Sequence, residues 1–202
     1  MRRLASSIVW SGRALEGAVA LEGRAGQDLS AFLSANDGLV AFEGGLRCFG
    51  VADDVLPGLA DWNHADGWRS SYRGLSDGLY FFAEDAFGNQ FAFEDDRIIR
   101  FLAETADREF LTDSLEEWID LLVRDPDEEL GLWLLRDWRS RSDMLTFKEH
   151  LCPKIPFVLG GRNEADNLYA LDRTKSMVFK GDLAWQTRKL PDGAKIRLKV
   201  TR

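Results

Sequence analysis

The chain has 202 residues, 45% of them hydrophobic, with 26 basic and 34 acidic side chains and a formal net charge of −8. That length and apolar content suit one compact domain, or a domain with a small appended unit, able to bury a core without staples. No apolar stretch reaches the roughly eighteen residues of a membrane span, and the two cysteines, Cys48 and Cys152, form no disulfide framework and read as reduced, buried thiols.

The run Met1-Arg2-Arg3-Leu4 has the charge of a signal-peptide start. Its apolar stretch ends by Trp10 and no small-residue cleavage site follows, so a cytoplasmic location is expected. Residues 27–38 read as a short helix, with Leu29, Phe32 and Leu33 at i, i+3, i+4 and Asn36-Asp37-Gly38 as its stop. Leu46 to Gly50 reads as a strand. Residues 53–78 lack periodicity and are rich in Asp, Gly, Trp and Ser, so they form a long excursion.

A cleaner pattern follows. Leu79-Tyr80-Phe81-Phe82-Ala83, Gln90-Phe91-Ala92-Phe93 and Arg97-Ile98-Ile99-Arg100-Phe101-Leu102 are aromatic or β-branched runs separated by the turns Phe87-Gly88-Asn89 and Asp95-Asp96. That alternation predicts an antiparallel meander. Ser114 and Glu117 then form a capping box ahead of a face made by Leu115, Trp118, Ile119 and Leu122. Asp125 caps a further helix whose first position is Pro126, and Leu130, Trp133, Leu134 and Trp138 are expected on its buried face.

The last quarter differs. Cys152 to Gly161 contains Pro153 and Pro156 and reads as an extended segment ending in a glycine turn. Leu168 to Leu171 reads as a strand, Leu183 to Leu190 as a helix, and Lys195 to Val200 as a strand of alternating charged and apolar residues. Charge changes here as well. Residues 1–146 hold 14 arginines, no lysine and 28 acidic residues, net −14, whereas residues 147–202 hold 12 basic and 6 acidic residues, net +6. The expected class is therefore α+β: an antiparallel meander flanked by helices in an acidic domain over 1–146, with a small basic α/β extension over 147–202 packed on it rather than independent.

The chemistry-bearing residues are sparse. Cys48, His64, His150 and Cys152 match no zinc spacing, and no calcium loop is present, so neither metal nor cofactor is expected. His150 and Cys152, two apart in an extended segment, are not expected to converge as a catalytic pair. There is no nucleophile elbow. Acidic pairs are too abundant for any to stand out as an acid–base couple. No catalytic residue is assigned.

Leu29-x-x-Phe32-Leu33-x-x-Asn36-Asp37-Gly38 followed by Gly45-Leu46-Arg47-x-Phe49-Gly50 resembles the opening of the SUKH superfamily, which groups bacterial immunity proteins with Syd and with yeast cell-wall assembly regulators. The stretch Phe81 to Phe93 resembles that superfamily's strand–turn–strand, and Ser114-Leu115-x-Glu117-Trp118 its following helix. The resemblance covers roughly residues 27–124; Asp37 stands where the family often has a second glycine, and residues 147–202 have no counterpart in the minimal domain. It implies an intracellular protein without catalytic residues that binds and neutralises a cognate toxin, often a nuclease or deaminase; a scaffold or regulatory module is the alternative. The expected partner is thus a protein toxin, with neither nucleic acid, which an acidic body would repel, nor membrane. Asp53, Asp54, Asp61, Asp66, Glu84 and Asp85 are the candidate acidic contacts. Trp62 and Trp68 either pin the excursion to the sheet or anchor the partner among those acids.

Overall fold

A computed structural model describes residues 3–15, 23–51, 55–142, 145–191 and 193–194. The expected strand over 195–200 and the acidic pair Asp53-Asp54 lie outside the described residues. The fold is α+β. A seven-stranded antiparallel sheet runs in chain order, β1 (Ile8–Ser11), β2 (Leu39–Ala41), β3 (Leu46–Cys48), β4 (Leu79–Asp85), β5 (Gln90–Glu94), β6 (Arg97–Phe101) and β7 (Arg108–Thr112). A second, two-stranded sheet pairs β8 (Glu149–Pro153) with β9 (Leu168–Asp172). The helices are α1 (Gly23–Ala35), α2 (Leu59–Trp62), α3 (Leu115–Arg124), α4 (Pro126–Leu130), α5 (Leu132–Arg139) and α6 (Arg173–Thr187).

The pleat distributes aromatics to both sides of the large sheet. On one side Phe82 and Phe91 meet Trp118 of α3, with ring centroids 5.1 and 5.2 Å away. On the other, Phe81 meets Trp68 and Phe101 meets Tyr72, at 5.1 and 5.2 Å. The excursion is therefore a cover for the second side, built from α2 and a 3₁₀ turn over Trp68–Tyr72. α6 lies on that turn. Gly181 makes the approach possible, since a Cβ there would stand 2.7 Å from the Tyr72 ring.

A register shift between Phe81 and Ala83 adds one residue to β4. Alternation resets, and Glu84 pairs with Gln90, whose side chain reaches the Trp62 indole. The bulge thus turns Glu84 to the side covered by the excursion rather than to the α3 side.

The expected N-cap forms: the Ser114 hydroxyl accepts from Glu117 N–H, and Leu115, Trp118, Ile119 and Leu122 are buried. The following helix does not run unbroken. Gly131 takes a left-handed conformation (φ 61°) and splits it into α4 and α5. A Cβ at Gly131 would meet the Phe87 ring at 2.9 Å, so the break is held by packing as well as by φ. The break shifts the phase of the buried face. Leu132, Leu134, Leu135 and Trp138 point inward, and Trp133, expected in the core, is 50% exposed.

Candidate functional site

Residues named from the sequence fall into three environments. Asp61 and Asp66 are exposed. Trp62 and Trp68 are only 4% and 2% exposed, which corrects their assignment as partner anchors. They pin the excursion: Trp62 Nε1 donates to Gln90 Oε1 at 2.8 Å, Trp68 Nε1 to the Trp62 carbonyl at 2.9 Å, and the two rings lie 5.3 Å apart. A tryptophan whose indole N–H and both faces are satisfied internally has little left for a partner. Glu84 and Asp85 are likewise buried, and are not part of an acidic surface. Asp85 accepts from Phe87 N–H, Asn89 N–H and Asn89 Nδ2 at 2.8, 2.9 and 2.8 Å, closing the β4–β5 turn.

Asp61, Trp62 and Trp68 do share one feature, a groove of about 390 Å³ completed by Val55, Leu56, Pro57, Gly67, Lys148, Asp172, Arg173 and Thr174. Its walls are aromatic and aliphatic, and its ionic residues are two carboxylates and two cations. It lies between the excursion and the start of α6, where body and extension meet.

Arg173 connects this groove to a buried ionic cluster that sequence reasoning missed. Its guanidinium lies over the Trp62 ring, 5.8 Å from the centroid, and its Nε is 2.8 Å from Glu84 Oε1. Glu84 Oε2 is 3.0 Å from His150 Nε2, and Arg47 Nη1 approaches Glu84 Oε1 at 3.6 Å. Arg47, Glu84, His150 and Ser176 are 0% exposed and Arg173 is 6% exposed. The ion pairs are close but not linear hydrogen bonds, as Glu84 Oε1, Arg173 Nε and His150 Nε2 find no well-directed partner.

Protonation follows from these surroundings. Burial alone would push the Glu84 carboxyl up, but Arg173, His150 and Arg47 outweigh it and bring its pKa down to about 2. Burial pushes His150 down to about 4, only partly opposed by Glu84, so the imidazole is neutral at pH 7. Burial likewise lowers Arg47 to about 10, leaving it charged. With Nε2 facing the carboxylate, the neutral ring carries its proton there. Nδ1 then accepts from Ser176 Oγ at 3.1 Å, and Cys152 Sγ donates to that hydroxyl at 3.0 Å.

The order serine, histidine, carboxylate is that of a hydrolytic triad. Here every member is sealed, and the Ser176 hydroxyl is occupied on both sides. What the cluster does is join the extension to the sheet. Lys180 donates to the Phe87 carbonyl, Arg47 Nη1 to the Glu149 carbonyl at 2.5 Å, and Leu151 N–H to the Ala86 carbonyl at 2.8 Å. His150 and Cys152 converge on Ser176 because residues two apart in a strand share a face, contrary to the expectation that they would diverge. The available signal is confined to Arg47, a charge between Leu46 and Cys48 in a strand; Glu84, followed by Asp85, carries none.

No protein-family model and no curated protein matches this sequence. Among solved structures, the chain is similar to Atu4351 from Agrobacterium tumefaciens, with 13% identity and a TM-score of 0.54 over 87% of this chain and 85% of that one. At that identity the likeness concerns the fold alone. Among the described residues no group of His, Cys, Asp or Glu is arranged to hold a metal ion, and no helix is long and apolar enough to cross a membrane.

Proposed function

We propose that this protein works by association, as a cytoplasmic immunity protein of the SUKH type that binds and neutralises a cognate toxin. The observation that carries this reading is the sealing of Ser176, His150 and Glu84. Among the described residues, the serine–histidine–carboxylate arrangement is fully buried and spent on joining two parts of the fold. Chemistry at the surface is charge and aromatic area, the material of recognition rather than turnover. The order of elements quoted for the resemblance also supports it: α1, the strand β3, the β4–β5 hairpin and the capped α3 follow one another.

Survival is the test. The protein is co-expressed with the toxin domain encoded by an adjacent reading frame, in cells which that domain alone kills. Growth restored in step with formation of a stable complex supports the proposal. Killing that continues at matched expression would refute it and favour a scaffold or regulatory role.

A further inference from the structure

The helices α3 and α5 each expose one large apolar side chain. Trp133 is half exposed at 50%, and Val123, near the end of α3, is 40% exposed. Trp118 and Trp138, by contrast, are 0% and 6% exposed. Trp133 is turned outward by the left-handed Gly131, a conformation held against the Phe87 ring. A large aromatic ring left in water by a well-packed backbone break marks an interaction site more strongly than scattered apolar residues do.

Charge identifies what meets it. Residues 113–139 carry nine acidic and three basic side chains. Of the bases, Arg136, one helical turn beyond Trp133, is held by Glu43 at 2.7 Å and Asp127 at 2.8 Å. Arg139 is turned to the Glu43 carbonyl. Glu117 and Glu128 are exposed and enter no ion pair among the described residues. Of the nine acids, Glu116 and Asp120 pair with Arg3, Asp127 with Arg136, Glu129 with Arg100 and Asp137 with Arg141, and an excess of carboxylates remains on these helices. A symmetric contact with a second copy of this chain is disfavoured, because it would bring the same acids against each other.

We infer that Trp133 and the acidic face of α3–α5 form a docking surface for a protein partner that presents lysines and arginines around an apolar socket. This rests on the toxin-binding reading and adds the chemistry of the toxin's contact face. Trp133 fills the socket and governs dissociation, while the surrounding carboxylates steer a basic surface and govern association. The ring projects from a helix held by the buried Leu134, Leu135 and Trp138, so little ordering accompanies binding.

The test measures association and dissociation rates of the full-length chain with the purified toxin domain from the adjacent reading frame, at low and at physiological salt. Trp133→Ala is expected to speed dissociation about ten-fold or more, with Trp133→Phe recovering most of the loss. Glu117→Lys with Glu128→Lys is expected to slow association about ten-fold at low salt and to flatten its salt dependence. Unchanged melting temperatures show that the variants fold. Wild-type rates in both variants, against a toxin that the parent chain binds, would overturn the docking surface and leave the immunity reading standing. A parent chain that fails to bind that domain would overturn both.

Discussion

The two sides of the large sheet are held by different physics. On the α3 side the contacts are apolar: Phe82, Phe91 and Trp118 interlock, and the tryptophan is fully buried. On the other side Trp68, Tyr72, Phe81 and Phe101 form an apolar layer as well, but the seam with the extension is ionic, with Glu84 drawing together Arg47, His150 and Arg173 and with Lys180 reaching a turn carbonyl. An apolar contact tolerates small displacement and any pH. A buried ionic cluster holds only while every charge has its partner, so it fixes geometry strictly and fails abruptly.

That contrast can be broken by mutation. The largest effect is expected for Glu84→Gln. It removes the one anion among two arginines and leaves buried charge uncompensated, at about 3–5 kcal/mol of stability. Chemical denaturation should show it, and a cost under about 1 kcal/mol would mean that the seam is not held by charge. Trp118→Ala should cost a similar ~3–5 kcal/mol through the cavity it leaves, but equally at pH 5 and pH 8, because nothing on that side titrates with the ring.

The seam, by contrast, should be sensitive to acid. His150 has a folded-state pKa near 4, below its ordinary 6.5, so the unfolded chain binds the extra proton between these values. Its contribution is present above pH 6.5 and is lost as pH falls toward 4. Glu84, held at about 2 from an ordinary 4.5, extends the loss further into acid. Unfolding free energy plotted against pH should slope by about one proton across the upper window. His150→Gln should flatten that slope, and an unaltered slope would remove His150 from the account. A smaller cost, about 1–2 kcal/mol, is expected for Gly131→Ala, which forces a left-handed alanine against Phe87. Trp133→Ala should change the melting temperature least, within about 0.5 kcal/mol, because half of the ring is already in water.

The same contrast explains what was legible in the sequence. The apolar contacts on both sides announce themselves through periodicity. The three meander strands and α3 fall where Phe81, Phe91, Ile98 and the Ser114 box place them. β1, β2 and β7 were missed; β2 is only three residues long, and β7 is a largely exposed edge strand without an apolar stripe. The ionic seam is silent. The buried positions of α6 are Arg173, Ser176, Met177, Lys180, Gly181, Leu183 and Ala184, and the three polar ones interrupt the apolar stripe over its first half, so that only its last third read as helix. Its partners are remote: Arg47 reaches the carbonyl of Glu149, 102 positions away. Pairing of that kind leaves no local pattern, and the same holds for the sealed carboxylate. Glu84 and Asp85 look like any exposed acidic pair until the bulge in β4 and the turn at Phe87–Asn89 turn them inward. Trp133 failed for a different reason. Its spacing from Leu130 is helical, but Gly131 breaks the helix between them.

Under the proposed function this protein binds a toxin rather than transforming a substrate. Titration calorimetry of the full chain with the purified toxin domain of the adjacent reading frame tests it most directly, run beside the double variant Ser176→Ala, His150→Gln once that variant is shown to be folded. A one-to-one complex formed equally well by both proteins, with heat that ends at equivalence, is the predicted result. Absence of binding by the parent chain, or heat that continues past equivalence in the parent and not in the variant, would contradict it.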